Sequence, residues 1–409
     1  MDGTPSRRRR LRRATRILLV MALVVVAGLG AYAGYAAIRA ARPVTLPAPT
    51  GPYSVGRAIT EWTDHARTDP LAPHPGTPRR LSVWLWYPAS PEADAKPAPY
   101  TPGAWAGLHM SAPPGWGETS FDQVRVHAVA DAPVAAGRFP VVVLEPGLGF
   151  AAPQYTTIAE DLAAAGYLVA GVTPTYSANL TVLDGATVPA DEAGNPSASN
   201  AADLHTGEAQ AAGDRLVDVW AADARFTATQ AAAERRFAGH VDPTKTVYIG
   251  HSFGGAAALQ ACHTDPQCAG AADLDGTQYG SVVHSGLDRP MMIIGGQSSC
   301  VTGTCEPAAA GDQADRDTAL SLVKAGTGPV WRYRITGAEH FNFTDYGAYY
   351  LAAPIGFLLA LGPIDGREAL SITNAYLRAF LDHATGTRPE PLLNGPSPYP
   401  SVEVQRPKP

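Results

Sequence analysis

Charge is scarce in this chain. Asp, Glu, Lys and Arg make up 17% of its 409 residues, and they sum to a net charge of -6. A weak negative field excludes a general nucleic-acid binder. The main basic cluster, "SRRRRLRRATR" at residues 6–16, stands apart at the N-terminus. Cysteine is scarcer still, at four residues, and none falls in a C-x-x-C pattern, which argues against a zinc site. Cys262 lies close to Cys268 and Cys300 close to Cys305, so two local disulfides are expected if the domain is exported. No internal repeat is present, which leaves a large core in one domain or a few.

Only one long run lacks charge altogether, Ile17 to Ile38. About 20 apolar residues suffice to cross a bilayer. Most of the arginines precede this run, and only Arg39 and Arg42 follow it closely. That asymmetry places the N-terminus in the cytoplasm and everything after Arg42 outside. The rival reading is a cleaved signal peptide, because "AYA" at Ala31–Ala33 resembles a cleavage site. The uncleaved anchor is the preferred expectation, and both readings export the domain.

The chain therefore divides into a basic cytoplasmic segment (1–16), a transmembrane anchor or signal peptide (17–38), a Pro- and Ala-rich linker (40–78), a catalytic-size domain (79–387) and a Pro-rich tail (388–409). Within the domain, "RRLSVWLWYP" and "QVRVHAVA" alternate like half-buried strands. "RFPVVVLEPG" is a continuous apolar run, as in a strand buried on both faces. An alanine-rich helix pattern, "YTTIAEDLAAAG", and another strand, "YLVAGVTP", follow. Further strands are expected at "TVYIG", "CAGAADLD", "RPMMIIGG" and "VWRYRITG", and a final amphipathic helix at "SITNAYLRAFLDHA". This alternation predicts an α/β fold, a mostly parallel sheet with helices on both faces. Residues 177–236 interrupt it with a polar loop and a long helical stretch, read as a helical cap insert or as a surface helix.

The stretch "TVYIGHSFGGAAALQA", from Thr246 to Ala261, carries the chemistry. Strand, G-x-S-x-G, then helix is the nucleophile elbow of α/β hydrolases. Gly250 and Gly254 leave room for a cramped turn that lifts Ser252 above the sheet. The helix starting near Phe253 aims its N–H groups at the same place. A serine needs a histidine to take its proton and a carboxylate to orient that histidine. His340 follows the strand "VWRYRI" by a short loop and is the candidate base. His383, His284 and His263 are worse placed, and His251, inside the elbow, is expected to pack beside it. Asp275, at the end of "CAGAADLD" and before Gly276, is the candidate acid. Asp273 shares its face but lies deeper, and Asp288 precedes its strand. Two backbone N–H groups are expected as the oxyanion hole, those of Phe253 and Leu148. "GLGFAA" also matches a dinucleotide fingerprint, but the following strand "YLVAGVTPTY" ends without the carboxylate that would hold a ribose.

With these residues placed, the chain resembles the platelet-activating-factor acetylhydrolase group of α/β hydrolases, the lipoprotein-associated phospholipase A2 type. The resemblance runs from about Leu81 to Phe343, through "VWLWYP", "GLG", "IGHSFGG", "LDG" and "EHFNF". It implies Ser252 as nucleophile, Asp275 as acid, His340 as base and Leu148 and Phe253 as oxyanion donors. It also implies calcium-independent hydrolysis of short-acyl or lipid-like esters with no metal or organic cofactor. Members often carry His before the oxyanion glycine, whereas here Glu145 and Pro146 precede Gly147, a carboxylate that either disfavours anionic substrates or faces away. A polyester hydrolase or lipase on the same fold, or a non-catalytic cell-surface binding module, is the alternative. The expected partners are a small-molecule or lipid ester and, through the N-terminal helix, a membrane.

Overall fold

The computed structural model describes residues 7–108, 117–196, 207–353, 356, 359–388 and 391–405. The first residues of the basic segment, residues 197–206 of the insert and the last four of the tail lie outside the described residues. Helix α1 (Arg7–Ala40) contains a stretch, Leu11–Ala40, long and apolar enough to cross a membrane. Its last turns touch the folded domain. Ala36 and Ala40 are buried, the Tyr32 hydroxyl accepts the Ala353 N–H at 3.0 Å, and Arg39 lies over the Tyr350 ring.

The strands, in chain order, are β1 (Val44–Thr45), β2 (Ser54–Thr68), β3 (Pro78–Ala89), β4 (Pro97–Pro99), β5 (Val124–Ala130), β6 (Phe139–Glu145), β7 (Leu168–Thr173), β8 (Leu180–Leu183), β9 (Ala186–Pro189), β10 (Val241–His251), β11 (Cys268–Leu274), β12 (Met291–Gly295), β13 (Val330–Ile335) and β14 (Val402–Val404). All but β8 and β9 form one sheet of order β1-β5-β2-β3-β7-β6-β10-β11-β12-β13-β14, with β4 on β5. From β7 to β13 every pairing is parallel, while β2, β3 and β14 join antiparallel. This mostly parallel, helix-covered sheet is the α/β-hydrolase fold.

The core lies on both sheet faces because the strands alternate. Trp84, Trp86, Val142 and Leu144 pack on one side with helices α2 (Thr156–Ala165) and α7 (Gly366–Thr385). Val83, Leu85, Val141 and Val143 pack on the other with α3 (Gly207–Ala233) and α4 (Phe253–Thr264). Helices α5 (Val282–Ser285) and α6 (Ala310–Ala325) flank β12 in sequence, and a last short helix, α8 (Pro391–Asn394), follows α7. Local chemistry sets the helix ends. Gly166 closes α2 in the left-handed conformation, and the Asp365 carboxylate caps the first turn of α7.

Two expectations about the chain's organisation need correction. Residues 40–78 are not merely a linker, because they carry β2, 15 residues long and paired along β3. Much of β2 is exposed and it is rich in charge, so it lacks an apolar run. The tail is not separate from the domain, because β14 extends the sheet beside β13. Three residues give no periodicity, and only the partner strand makes them a strand. The cysteines join as Cys262–Cys268 and Cys300–Cys305.

Candidate active site

The ends of β6, β10 and β11 meet with almost no space between them. A methyl group on Gly250 would strike the backbone of Gly254, and one on Gly254 would strike the carbonyls of Glu145 and Pro146. Only glycine permits this approach. It draws the loop after β6, the turn after β10 and the head of α4 to one point. Ser252 sits in that turn at φ 56° and ψ -128°, a conformation costly for any side chain. Ala256, Ala257 and Ala258 are fully buried, which lets α4 lie close to the sheet.

The structure brings Ser252, His340 and Asp275 together. The Ser252 hydroxyl lies 3.0 Å from His340 Nε2. His340 Nδ1 lies 2.7 Å from Asp275 Oδ2, and Asp275 Oδ1 accepts the Gly296 N–H at 2.8 Å. With Asp275 ionised, Nδ1–H donates to the carboxylate and Nε2 is left to accept from Ser252. Burial pushes the Asp275 carboxyl up, but the bond and charge of His340, with the Gly296 N–H, outweigh it and hold the pKa below the ordinary aspartate value.

Asp273, two residues earlier, has the opposite character. Burial dominates there, and although Gln278 and the Gly276 N–H bond to it, its pKa lies well above the ordinary value. It makes no bond to a histidine among the described residues. His251 is buried in the elbow, and burial followed by the nearby His340 lowers its pKa to about 3. His263 lies in the last turn of α4, His284 in α5, and His383 packs edge-on against Trp331 near the end of α7. None of these lines the site.

Leu148 and Phe253 both border the same cavity as Ser252, and neither N–H donates to another group among the described residues. Glu145 faces away. It is fully buried and outside the cavity wall, and burial, then Asp223, raises its pKa well above the ordinary value. A carboxyl buried outside the cavity wall does not meet a bound substrate.

The cavity holds about 340 Å³. Gly147, Leu148, Phe150 and Phe341 form one wall, and Ala209, Gly213 and Leu216 of α3 with Tyr279 form another. Helix α3 of the insert therefore lines the cavity. Gly213 lies directly against the Tyr279 ring. Lower on α3, Trp220 meets Phe253 edge-on and donates to the Ser177 hydroxyl. Asp223 binds Arg79 at 2.6 Å and Arg67 at 2.8 Å, and Arg79 also binds Asp69 at 2.9 Å. No sequence motif marks this clamp, since its partners lie up to 156 positions apart. Tyr155 and Tyr279 were also missed, and no local motif marks either.

No family model matches the chain. A platelet-activating factor acetylhydrolase of Cavia porcellus is 25% identical over 370 residues, covering 84% of this chain and 78% of that protein. A probable 1-alkyl-2-acetylglycerophosphocholine esterase of Arthroderma benhamiae is 25% identical over 389 residues, covering 87% and 92%. Among solved structures, a ferulic acid esterase from Streptomyces cinnamoneus superposes with a TM-score of 0.72 at 27% identity, covering 89% of this chain and 99% of that one. Fold and relatives together define an α/β hydrolase of the serine ester hydrolase class. Within that class the chain is similar, over most of its length, to the platelet-activating factor acetylhydrolases.

Proposed function

We propose that the chain hydrolyses short-acyl or lipid-like carboxylic esters through an acyl-serine intermediate. The observation that carries this reading is the unbroken Asp275–His340–Ser252 hydrogen-bond chain at the wall of an apolar cavity. His340 Nε2 takes the Ser252 proton as Oγ attacks the ester carbonyl. The N–H groups of Leu148 and Phe253 hold the oxyanion. His340 then gives its proton to the leaving alcohol, and the acyl-serine remains. A water molecule, deprotonated by His340, attacks that acyl group and releases the acid and free Ser252. Asp275 keeps His340 in the tautomer that both steps need.

The relatives named for acetyl-ester substrates support a compact acyl group. A second reading, an aryl ester such as a feruloyl ester, is favoured by the Phe150 and Phe341 rings. They stack at 5.4 Å and 17° beside Ser252 and would flank an aromatic acyl group. The solved ferulic acid esterase supports the same reading. For location, we propose an uncleaved α1 anchor with the catalytic domain outside the cytoplasm, which the docked Tyr32–Ala40 turns and the two disulfides support. The deciding experiment is hydrolysis of p-nitrophenyl esters from acetyl to palmitoyl, and of methyl ferulate, with Ser252→Ala alongside. Acetyl preference supports the first reading and ferulate preference the second. Rates that rise with chain length favour a lipase or polyester hydrolase. Unaltered turnover in Ser252→Ala would sink the mechanism.

A further inference from the structure

His251 and Tyr155 are fully buried beside the triad and take no part in the proton transfers above, although His251 borders the cavity. Yet they join the three segments that carry the chemistry. The Gly147 N–H reaches the Tyr155 hydroxyl at 2.8 Å. That hydroxyl lies 2.9 Å from His251 Nδ1, and His251 Nε2 lies 2.9 Å from the His340 carbonyl oxygen.

Each proton in this chain has one place. A carbonyl only accepts, so His251 must carry its proton on Nε2. Nδ1 is then a lone pair and accepts the Tyr155 O–H. The Tyr155 oxygen is left to accept the Gly147 N–H. Burial keeps His251 neutral, as this arrangement requires. The run is therefore one-directional, from Gly147 N–H through Tyr155 and His251 to the His340 carbonyl.

Its ends matter more than its middle. Gly147 precedes Leu148, the proposed oxyanion donor, and is wedged in place: a methyl there would lie 3.2–3.3 Å from His251 Nδ1, Ser252 Cβ and Tyr155 Oη. The other end grips the backbone of the proposed base. Between them His251 adjoins the nucleophile. We infer that Tyr155 and His251 are positioning residues that hold the oxyanion loop, the elbow and His340 in mutual register. The inference rests on the proposed roles of Ser252, His340 and Leu148. An error of about 1 Å in such register costs about 100-fold in rate, and Tyr155 itself does not line the cavity.

The test compares Tyr155→Phe, His251→Gln and His251→Asn with the wild-type full chain. Rates on p-nitrophenyl acetate are counted per active site by fluorophosphonate titration. Loss of wild-type turnover in Ser252→Ala is secured first, so failure of the triad assignment is read separately. Tyr155→Phe is expected to lower kcat about 10- to 100-fold with KM nearly constant. Affinity for a trifluoromethyl ketone, which forms a tetrahedral adduct, should fall in step with kcat/KM. His251→Gln can keep the bond to the His340 carbonyl and His251→Asn the bond to Tyr155, so each should retain part of the rate. The Tyr155→Phe/His251→Gln pair should lose little more than its worse member, because linked groups act as a unit. Wild-type kcat and inhibitor affinity in Tyr155→Phe, even with a lowered Tm, would overturn the inference. A raised KM at constant kcat would do the same. Should Tyr155→Phe fail to fold, the two His251 variants decide by the same criteria.

Discussion

The elbow and the insert meet across one cavity, but they are built by opposite means. At the elbow, backbone packs on backbone because Gly250 and Gly254 have no side chains to keep it apart. In the insert, α3 is held by side chains reaching far along the sequence, Asp223 to Arg79 and Arg67, and Trp220 to Ser177. The first kind of contact is written in a five-residue spacing. The second exists only once the sheet has formed. Chemistry and access are thus encoded at different ranges, and each can be disturbed without the other.

The largest effect should come from the elbow. Ser252→Ala is expected to lower kcat about 10⁴-fold or more with the denaturation midpoint nearly unchanged, measured on p-nitrophenyl acetate. Next comes Asp275→Asn, at about 10⁴-fold, because His340 loses the acceptor that sets its tautomer. This variant also carries a pH signature. The folded Asp275 pKa is depressed, so its contribution to stability is fully present above the unfolded value of 3.8. That contribution disappears as pH falls through the lower folded value. The stability gap between wild type and Asp275→Asn should be flat from pH 8 to about pH 5 and narrow at more acid pH, in urea titrations. A gap that widens on acidification contradicts the assignment.

On the insert side, Asp223→Ala leaves the buried Arg79 with half its carboxylate partners. It should cost about 3–5 kcal/mol of stability, read from the denaturant midpoint, while molecules that remain folded still react with a fluorophosphonate. An unchanged midpoint would show that the clamp does not hold the insert. The smallest effect is one of selectivity. Gly213→Ala places a methyl about 2.5 Å from the Tyr279 ring, so ring or helix must shift. The ratio of butyrate to acetate hydrolysis should fall about tenfold, with acetate turnover little changed. Equal loss on both esters would assign Gly213 to the fold rather than to the cavity.

The sequence carried much of the architecture, because buried parallel strands announce themselves. "PVVVL" and "TVYIG" became the strands flanking the site, and "TTIAEDLAAA" became α2. It carried less of the edges. The charged β2 and the three-residue β14 derive their strand character from partners, a pairing that periodicity does not register. At the site, chain order and strand ends singled out Ser252, Asp275 and His340, which meet in space. In the sequence Asp273 and Asp275 share one face of the strand, with Asp273 the deeper and Asp275 at the sheet edge. Their environments differ because one is packed among Gln278 and the Gly276 N–H, while the other turns outward to His340.

By itself, the sequence determined what depends on neighbours along the chain. These are the apolar strands, the glycine spacing that permits the elbow, the order of serine, acid and histidine, and the uncharged run after the arginines. Tertiary structure alone decided what depends on distant partners. It buried Glu145 outside the cavity wall, set α3 along the cavity that Ser252 borders, and placed Tyr155 between Gly147 and His251. The physical reason is range. Backbone sterics and hydrophobic periodicity act over a few residues, whereas burial and hydrogen-bond partnership are properties of a place in the folded protein.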